Sequence, residues 1–268
     1  MTSSERHLLP GQSRWDYSVQ RYKSCRDVFC EPGLISIVFL ACGRSDVTAK
    51  SLYSTIDSAC MYKGEIEWIF VENGGSDENL ALFERILGPR KVIIRQSNYG
   101  INEGLNQGWA LSRGEFVMIH ENDWECRHKK DFFSISRDIF NENHDVGIVQ
   151  LRAINDPNEN WGYNKPEYNP WSCTPEALQR AGISVEAQHT KAGHEFLKSK
   201  FPNGFHNNPI FIRKSLYRQC GPYPECILGS DPRHGESLYQ SKVAKTEYAT
   251  SHIGLELYYH IGKVTTKS

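Results

Sequence analysis

The chain lacks a surplus of either charge: 31 lysines and arginines stand against 32 aspartates and glutamates, a net charge of −1. Without a basic excess there is little to neutralise a phosphate backbone, which argues against nucleic acid as a partner. Long apolar runs are also missing. The longest, Leu34 to Cys42, is broken by Ser36 and is too short to span a bilayer. Arg6 and His7 have no apolar segment behind them, so no signal peptide is expected. Eight cysteines, at 25, 30, 42, 60, 126, 173, 220 and 226, include no Cys-x-x-Cys pair. The expectation is a cytoplasmic chain with scattered reduced thiols, without a disulfide framework or structural zinc. No Gly-x-Gly-x-x-Gly follows the first strand-like run, which excludes a dinucleotide-dependent oxidoreductase.

What is present is regular alternation. At 268 residues the chain is one large domain, or one domain with an appended lobe. Residues 1–33 read as a polar N-terminal arm. Ile35 to Ala41 is near-continuously apolar, the mark of a strand covered on both faces. Asp46 is the expected N-cap of a helix running to about Met61. Strands are predicted at Ile66 to Val71 and Val92 to Arg95, with helices at about Asp77 to Leu87 and Ile101 to Leu111. Short connections between strands and helices imply an α/β fold, a mostly parallel sheet with helices on both faces.

The stretch Gly114 to Trp124 organises this pattern. Phe116 to Ile119 is a short apolar strand that stops at Glu121-Asn122-Asp123. Arg44, Glu72-Asn73 and Asn98 likewise follow strands. In a parallel sheet these polar groups converge on one crevice at the carboxyl ends of the strands, where such sheets bind ligands. Oxygen donors there suit a hard divalent cation and a phosphate-bearing substrate.

The second half changes character. A helix is expected at 129–141, a strand at Val146 to Leu151, a helix at 176–200, a strand at Pro209 to Arg213, a helix at 234–246 and a strand-like tail. Residues 152–175 hold Trp161, Tyr163, Tyr168 and Trp171. Such a loop either packs onto the body or offers aromatic faces to sugar rings.

The sequence resembles the inverting family 2 glycosyltransferases of the GT-A fold. Three ordered motifs carry the resemblance: ISIVFLACGR with the helix after it, VENGGSD, and NYGINEGLNQGWALSRGEFVMIHEND. It covers residues 34–124 well and the remainder loosely. It implies a nucleotide-sugar-binding half at 34–124 and an acceptor-binding half at 125–268 of one Rossmann-like GT-A domain. Ala41, Arg44, Glu72, Asn73, Asn98, Gly100, Glu121 and Asn122 would line the donor pocket. Asp123 would ligate Mn2+ or Mg2+, helped by a late histidine, His260 in preference to His252. Asn106 would brace the helix leading to the metal strand. The catalytic base would be Glu236, with Asp231 the runner-up. Two departures stand out: Glu121 occupies the place of the family's first Asp, and His120 precedes it where an apolar residue is usual.

The function implied is transfer of a sugar, with inversion, from a nucleoside-diphosphate donor to a hydroxyl acceptor that is saccharide, lipid-linked or protein-linked. Trp161, Trp171 and His206 are acceptor-site candidates on composition. A peripheral membrane role stays open, although no amphipathic basic helix announces one. A sugar-nucleotide pyrophosphorylase would need a Gly-rich basic loop after the first strand, and ACGRSD is not one. A non-catalytic nucleotide- or carbohydrate-binding protein on the same fold is the alternative, since function resides in the site.

Overall fold

The computed structural model describes residues 30–86, 88, 90–151, 185–199, 209–223, 233–253 and 257–262. Strand β1 (Glu31–Ala41) is followed by α1 (Ser45–Ala59), β2 (Ile66–Glu72), α2 (Asp77–Arg85), β3 (Lys91–Arg95), α3 (Ile101–Leu111) and β4 (Gly114–Glu121). The chain continues through β5 (Trp124–Cys126), α4 (Phe132–Glu142), β6 (Val146–Gln150), β7 (Val185–His189) and β8 (Glu195–Ser199). Next come β9 (Ile210–Arg213), α5 (Lys214–Cys220), α6 (Arg233–Val243), β10 (Ala249–Ile253) and β11 (Tyr258–His260).

Nine of these strands form one sheet in the order β3-β2-β1-β4-β9-β6-β10-β8-β7. The first four are parallel, and β10 is parallel to β6. Only β9 and β8 run against their neighbours, so the sheet is mostly parallel. Alternate residues of β1 explain its continuous apolar run. Ile35, Ile37 and Phe39 enter one core cluster, and Val38 and Leu40 enter another on the opposite face. Burying each such side chain contributes about 1.5–3 kcal/mol. Helix α3 lies close on β1: a Cβ at Gly108 would stand 2.2 Å from Val38 Cγ1. The glycine costs the helix about 1 kcal/mol against alanine and permits that approach.

Two expectations are corrected. Residues 176–200 do not form a helix where they are described; β7 and β8 make an antiparallel hairpin over 185–199. Its turn closes through Thr190 N to His194 O (2.9 Å), with Gly193 at φ +84°. Strand β8 pairs with β10 and buries Phe196 in the core, so sheet pairing overrides local helix propensity. Asp46 is not the N-cap of α1. The helix begins at Ser45, Arg44 is its cap, and Asp46 sits in the first turn. The reason is that Thr48 N donates to Arg44 O (2.9 Å), so helical bonding starts two residues earlier. Among the described residues no helix is long and apolar enough to cross a membrane.

Candidate active site

The register brings β1, β2 and β4 to a common edge. Ala41 pairs with Glu72, Leu40 with Glu121, and Glu72 with Arg95. Two more backbone bonds stitch the ends together: Asn73 N to Ala41 O (2.7 Å) and Asn122 N to Leu40 O (2.9 Å). Ala41, Arg44, Asn73, Asn98, Gly100 and Glu121 to Asp123 therefore share one edge.

At the end of β2 the side chains turn into the protein. Glu72 is fully buried. Its Oε1 accepts from Gly43 N (3.4 Å) and Ser76 N (3.3 Å), and its Oε2 from Asn79 Nδ2 (2.6 Å). Asn73 accepts at Oδ1 from Gln96 Nε2 (2.7 Å) and Tyr99 N (3.3 Å), and donates to Gly100 O (3.0 Å) and Asn98 Oδ1 (3.4 Å). It thus sets the loop that opens α3. The exposed Asn98 accepts from Gly100 N (3.0 Å), capping the turn ahead of that helix.

At the end of β4 the arrangement differs. Asn122 is buried and donates to Thr48 Oγ1 (2.7 Å) and Gly43 O (3.3 Å). Asp123 keeps 15 % side-chain exposure. Its Oδ2 accepts from Arg44 Nη2 (2.9 Å) and lies 3.4 Å from His260 Nε2. Its Oδ1 is buried with no hydrogen-bond partner among the described residues. Burial alone would raise the Asp123 carboxyl. The His260 ring and the Arg44 guanidinium outweigh that and hold it below the ordinary carboxylate range. Glu121 ends β4 half-buried, and its carbonyl accepts from His120.

His260 reaches this point because β11 pairs antiparallel with β5, setting His260 opposite Trp124. Ile261 N donates to Asp123 O (2.7 Å), tying the tail directly to the loop. A Cβ at Gly262 would stand 2.7 Å from Asp123 Oδ2 and 2.9 Å from His260 Nε2, so the glycine keeps that corner open. His252 sits elsewhere, buried in β10 opposite Gln150 and Leu197, with burial lowering its pKa to about 4.

His120 also has a structural context. Its Nδ1 lies 2.8 Å from the Glu121 carbonyl, which can only accept, so Nδ1 carries the proton. Nε2 then accepts from the Thr55 hydroxyl (2.9 Å), and Thr55 Oγ1 lies 3.1 Å from the Tyr258 hydroxyl. The ring stacks on Phe39, and burial lowers its pKa to about 4. The neutral imidazole joins α1, β4 and β11 beside the site, and no sequence pattern announced that.

Asn106 donates to Tyr223 O (2.9 Å) and accepts from Tyr223 N (2.8 Å), so it braces α3 against the segment after α5. Glu236 belongs to the first turn of α6 by its backbone, and its side chain lies outside the description. Asp231, Trp161, Trp171 and His206 lie outside the described residues. Sequence reasoning missed Thr48, Asn79 and Gln96. They are polar residues at elements' starts or ends, and only the third dimension gives them partners.

Among the described residues no three His, Cys, Asp or Glu side chains converge as a metal site. Asp123 and His260 alone still fit a cation that arrives with a substrate's phosphates, as Mg2+ commonly does. The orphaned Oδ1 and the corner left open by Gly262 are what make them fit.

A mostly parallel sheet with this polar carboxyl edge is the architecture of the GT-A glycosyltransferases. Residues 36–216 match the model of glycosyl transferase family 2, and the chain belongs to that family of transferases. Among solved structures it is similar to S. aureus TarS 1-349 in complex with UDP-GlcNAc. The TM-score is 0.58 at 17% identity, covering 84% of this chain and 57% of that one. It is likewise similar to the mannosyltransferase PcManGT from Pyrobaculum calidifontis in complex with GDP-Man and Mn2+. There the TM-score is 0.56 at 14% identity, covering 92% and 66% respectively. At such identities the likeness is one of fold, and the chain spans less than two thirds of either neighbour. No curated protein matches it.

Proposed function

We propose that the protein transfers a sugar from a nucleoside-diphosphate donor to a hydroxyl acceptor, with inversion and with the help of a divalent cation. One observation carries the reading: a half-buried acid, Asp123, keeps a buried, unpartnered oxygen beside His260 and Arg44 at the carboxyl edge of a family 2 fold. The nucleotide-sugar complexes of the two neighbours support the donor class.

The donor's diphosphate lies at the end of β4 and its nucleoside towards the loops after β1, β2 and β3. Glu72 and Asn73 shape that pocket from behind, by fixing the loops at Gly43, Ser76 and Gly100. Asp123 and His260 would hold Mn2+ or Mg2+, whose charge, when bound, offsets that of the diphosphate. Arg44 adds a guanidinium suited to phosphate oxygens. These groups stand where negative charge builds as the leaving group departs, which is where preorganised positive charge accelerates a reaction most. Glu236 takes the proton of the acceptor hydroxyl as it attacks the face of the sugar opposite the diphosphate. Base and diphosphate must flank the sugar, which suits their origin in different halves of the chain.

The test is nucleoside-diphosphate release from UDP-, GDP- and dTDP-sugars and CMP release from CMP-sugars, with and without Mn2+, in wild type and Glu236→Gln. The expected result is metal-stimulated release from one nucleotide class, lost in Glu236→Gln while donor binding persists. Full activity in that variant removes Glu236 as the base. Donor binding with no release or transfer in wild type overturns the enzymatic reading.

A further inference from the structure

Arg44 is the one non-glycine residue with positive φ among the described residues (φ 51°, ψ 57°). Side chains rarely tolerate that conformation, and it persists where surroundings over-determine it. Here they do. The Gly43 carbonyl, just before Arg44, accepts from Thr48 Oγ1 (3.1 Å), Asn79 Nδ2 (2.9 Å) and Asn122 Nδ2 (3.3 Å). One carbonyl is thereby tied to α1, α2 and the β4 loop. The consequence is that Arg44 Nη2 stands 2.9 Å from Asp123 Oδ2 and 3.4 Å from Asn122 Oδ1.

That oxygen is also the one His260 faces, at 3.4 Å. The point where the two candidate metal-holding side chains meet is thus already filled by a positive charge. A divalent cation between Asp123 and His260 and a guanidinium on the same oxygen repel each other, so they compete. The Arg44 side chain is 44% exposed, which leaves it free to swing outward. Its planar fork matches two phosphate oxygens at least as well as the single carboxylate oxygen it now holds.

We propose that Arg44 is an exchangeable counter-cation: it sits on Asp123 when the site is empty and moves to the diphosphate when donor binds, releasing Asp123 to the metal. The proposal rests on the donor-site reading above. Its consequence is positive coupling, in which donor strengthens metal binding and metal strengthens donor binding by the same factor. In the free protein Arg44 also gives the half-buried Asp123 carboxylate a counter-charge.

Mn2+ binding by the full chain tests this, read from the electron paramagnetic resonance signal of free Mn2+ and by calorimetry, without nucleotide and with UDP or GDP. Arg44→Gln removes the competitor and is expected to bind Mn2+ roughly tenfold tighter than wild type without nucleotide, within the usual range of such couplings. Its further gain on adding nucleoside diphosphate should be several-fold smaller than the wild-type gain. Because nucleotides chelate Mn2+ themselves, the difference between variant and wild type is the readout. Arg44→Lys keeps the charge and should stay close to wild type in nucleotide-free Mn2+ affinity. Equal Mn2+ affinity in wild type and Arg44→Gln overturns the exchange, as does an undiminished nucleotide gain in that variant. Absence of Mn2+ binding in every form also overturns it. Nucleotide binding that persists in that last case leaves the donor site standing, whereas its loss removes both.

Discussion

On either side of β1, two strands end in nearly the same residues: Glu72-Asn73 on β2 and Glu121-Asn122-Asp123 on β4. Their acids are used in opposite ways. Both oxygens of Glu72 are filled by backbone and amide donors from neighbouring loops, so the carboxylate is a brace. Asp123 is held on one oxygen by two side chains, Arg44 and His260, while the other has no partner among the described residues. Side chains can swing away, whereas loop backbones cannot leave without unfolding the site. An acid at a strand end is therefore open to chemistry only when the chain has not already spent its lone pairs on the fold.

That contrast can be broken by substitution. Asp123→Ala should lower turnover by about 10²–10³-fold, the usual loss when one preorganised charge-stabilising group is removed. Its melting temperature should change little, since the carboxylate is held only by the side chains of Arg44 and His260 and fastens no loop backbone. Steady-state kinetics and thermal unfolding check both halves.

Acid should have the next largest effect, on the stability of the fold. His120 and His252 have pKa values near 4 in the fold against an ordinary 6.5. Below 6.5 the unfolded chain takes up protons that the folded one refuses. Stability is therefore full above pH 6.5 and falls as pH drops to about 4, by about 3 kcal/mol for each histidine. The low-lying Asp123 carboxyl adds a loss of the same sign at lower pH. Denaturant midpoints across pH 4–7 measure this, and His120→Asn should flatten part of the slope.

Glu72→Gln should have the smallest effect of the three. It turns an amide N–H2 towards a donor and costs about 1–3 kcal/mol of stability. Donor affinity should fall only as the loops loosen. A Glu72→Gln protein of unchanged stability that cannot bind donor would erase the distinction between brace and reactive acid.

Much of this edge was legible in the sequence. The apolar runs of β1, β2 and β4 and the bounds of α3 follow from periodicity, because buried parallel strands and a helix on the sheet need those patterns. What escaped depends on partners distant in sequence. The hairpin at 185–199 is decided by β10, more than 50 residues from its start. That Glu72 turns inward depends on donors from Gly43, Ser76 and Asn79. The meeting of His260 with Asp123 was expected from the family resemblance alone; the three-residue pairing of β11 with β5 that brings it about is too short to announce itself in periodicity. Left-handed Arg44 likewise follows from packing among α1, α2 and the β4 loop, and the neutral His120 relay from packing among α1, β4 and β11.

The most direct measurement is the thermal shift of wild type and Asp123→Ala with UDP-, GDP-, CMP- and dTDP-sugars, each with and without Mn2+. Ligands that bind only the folded state raise the melting temperature by mass action. An open acid at β4 predicts a shift for one nucleotide class that needs Mn2+ in wild type and loses that requirement, or disappears, in Asp123→Ala. A shift of equal size with and without Mn2+ in both proteins, or none with any donor, would contradict it.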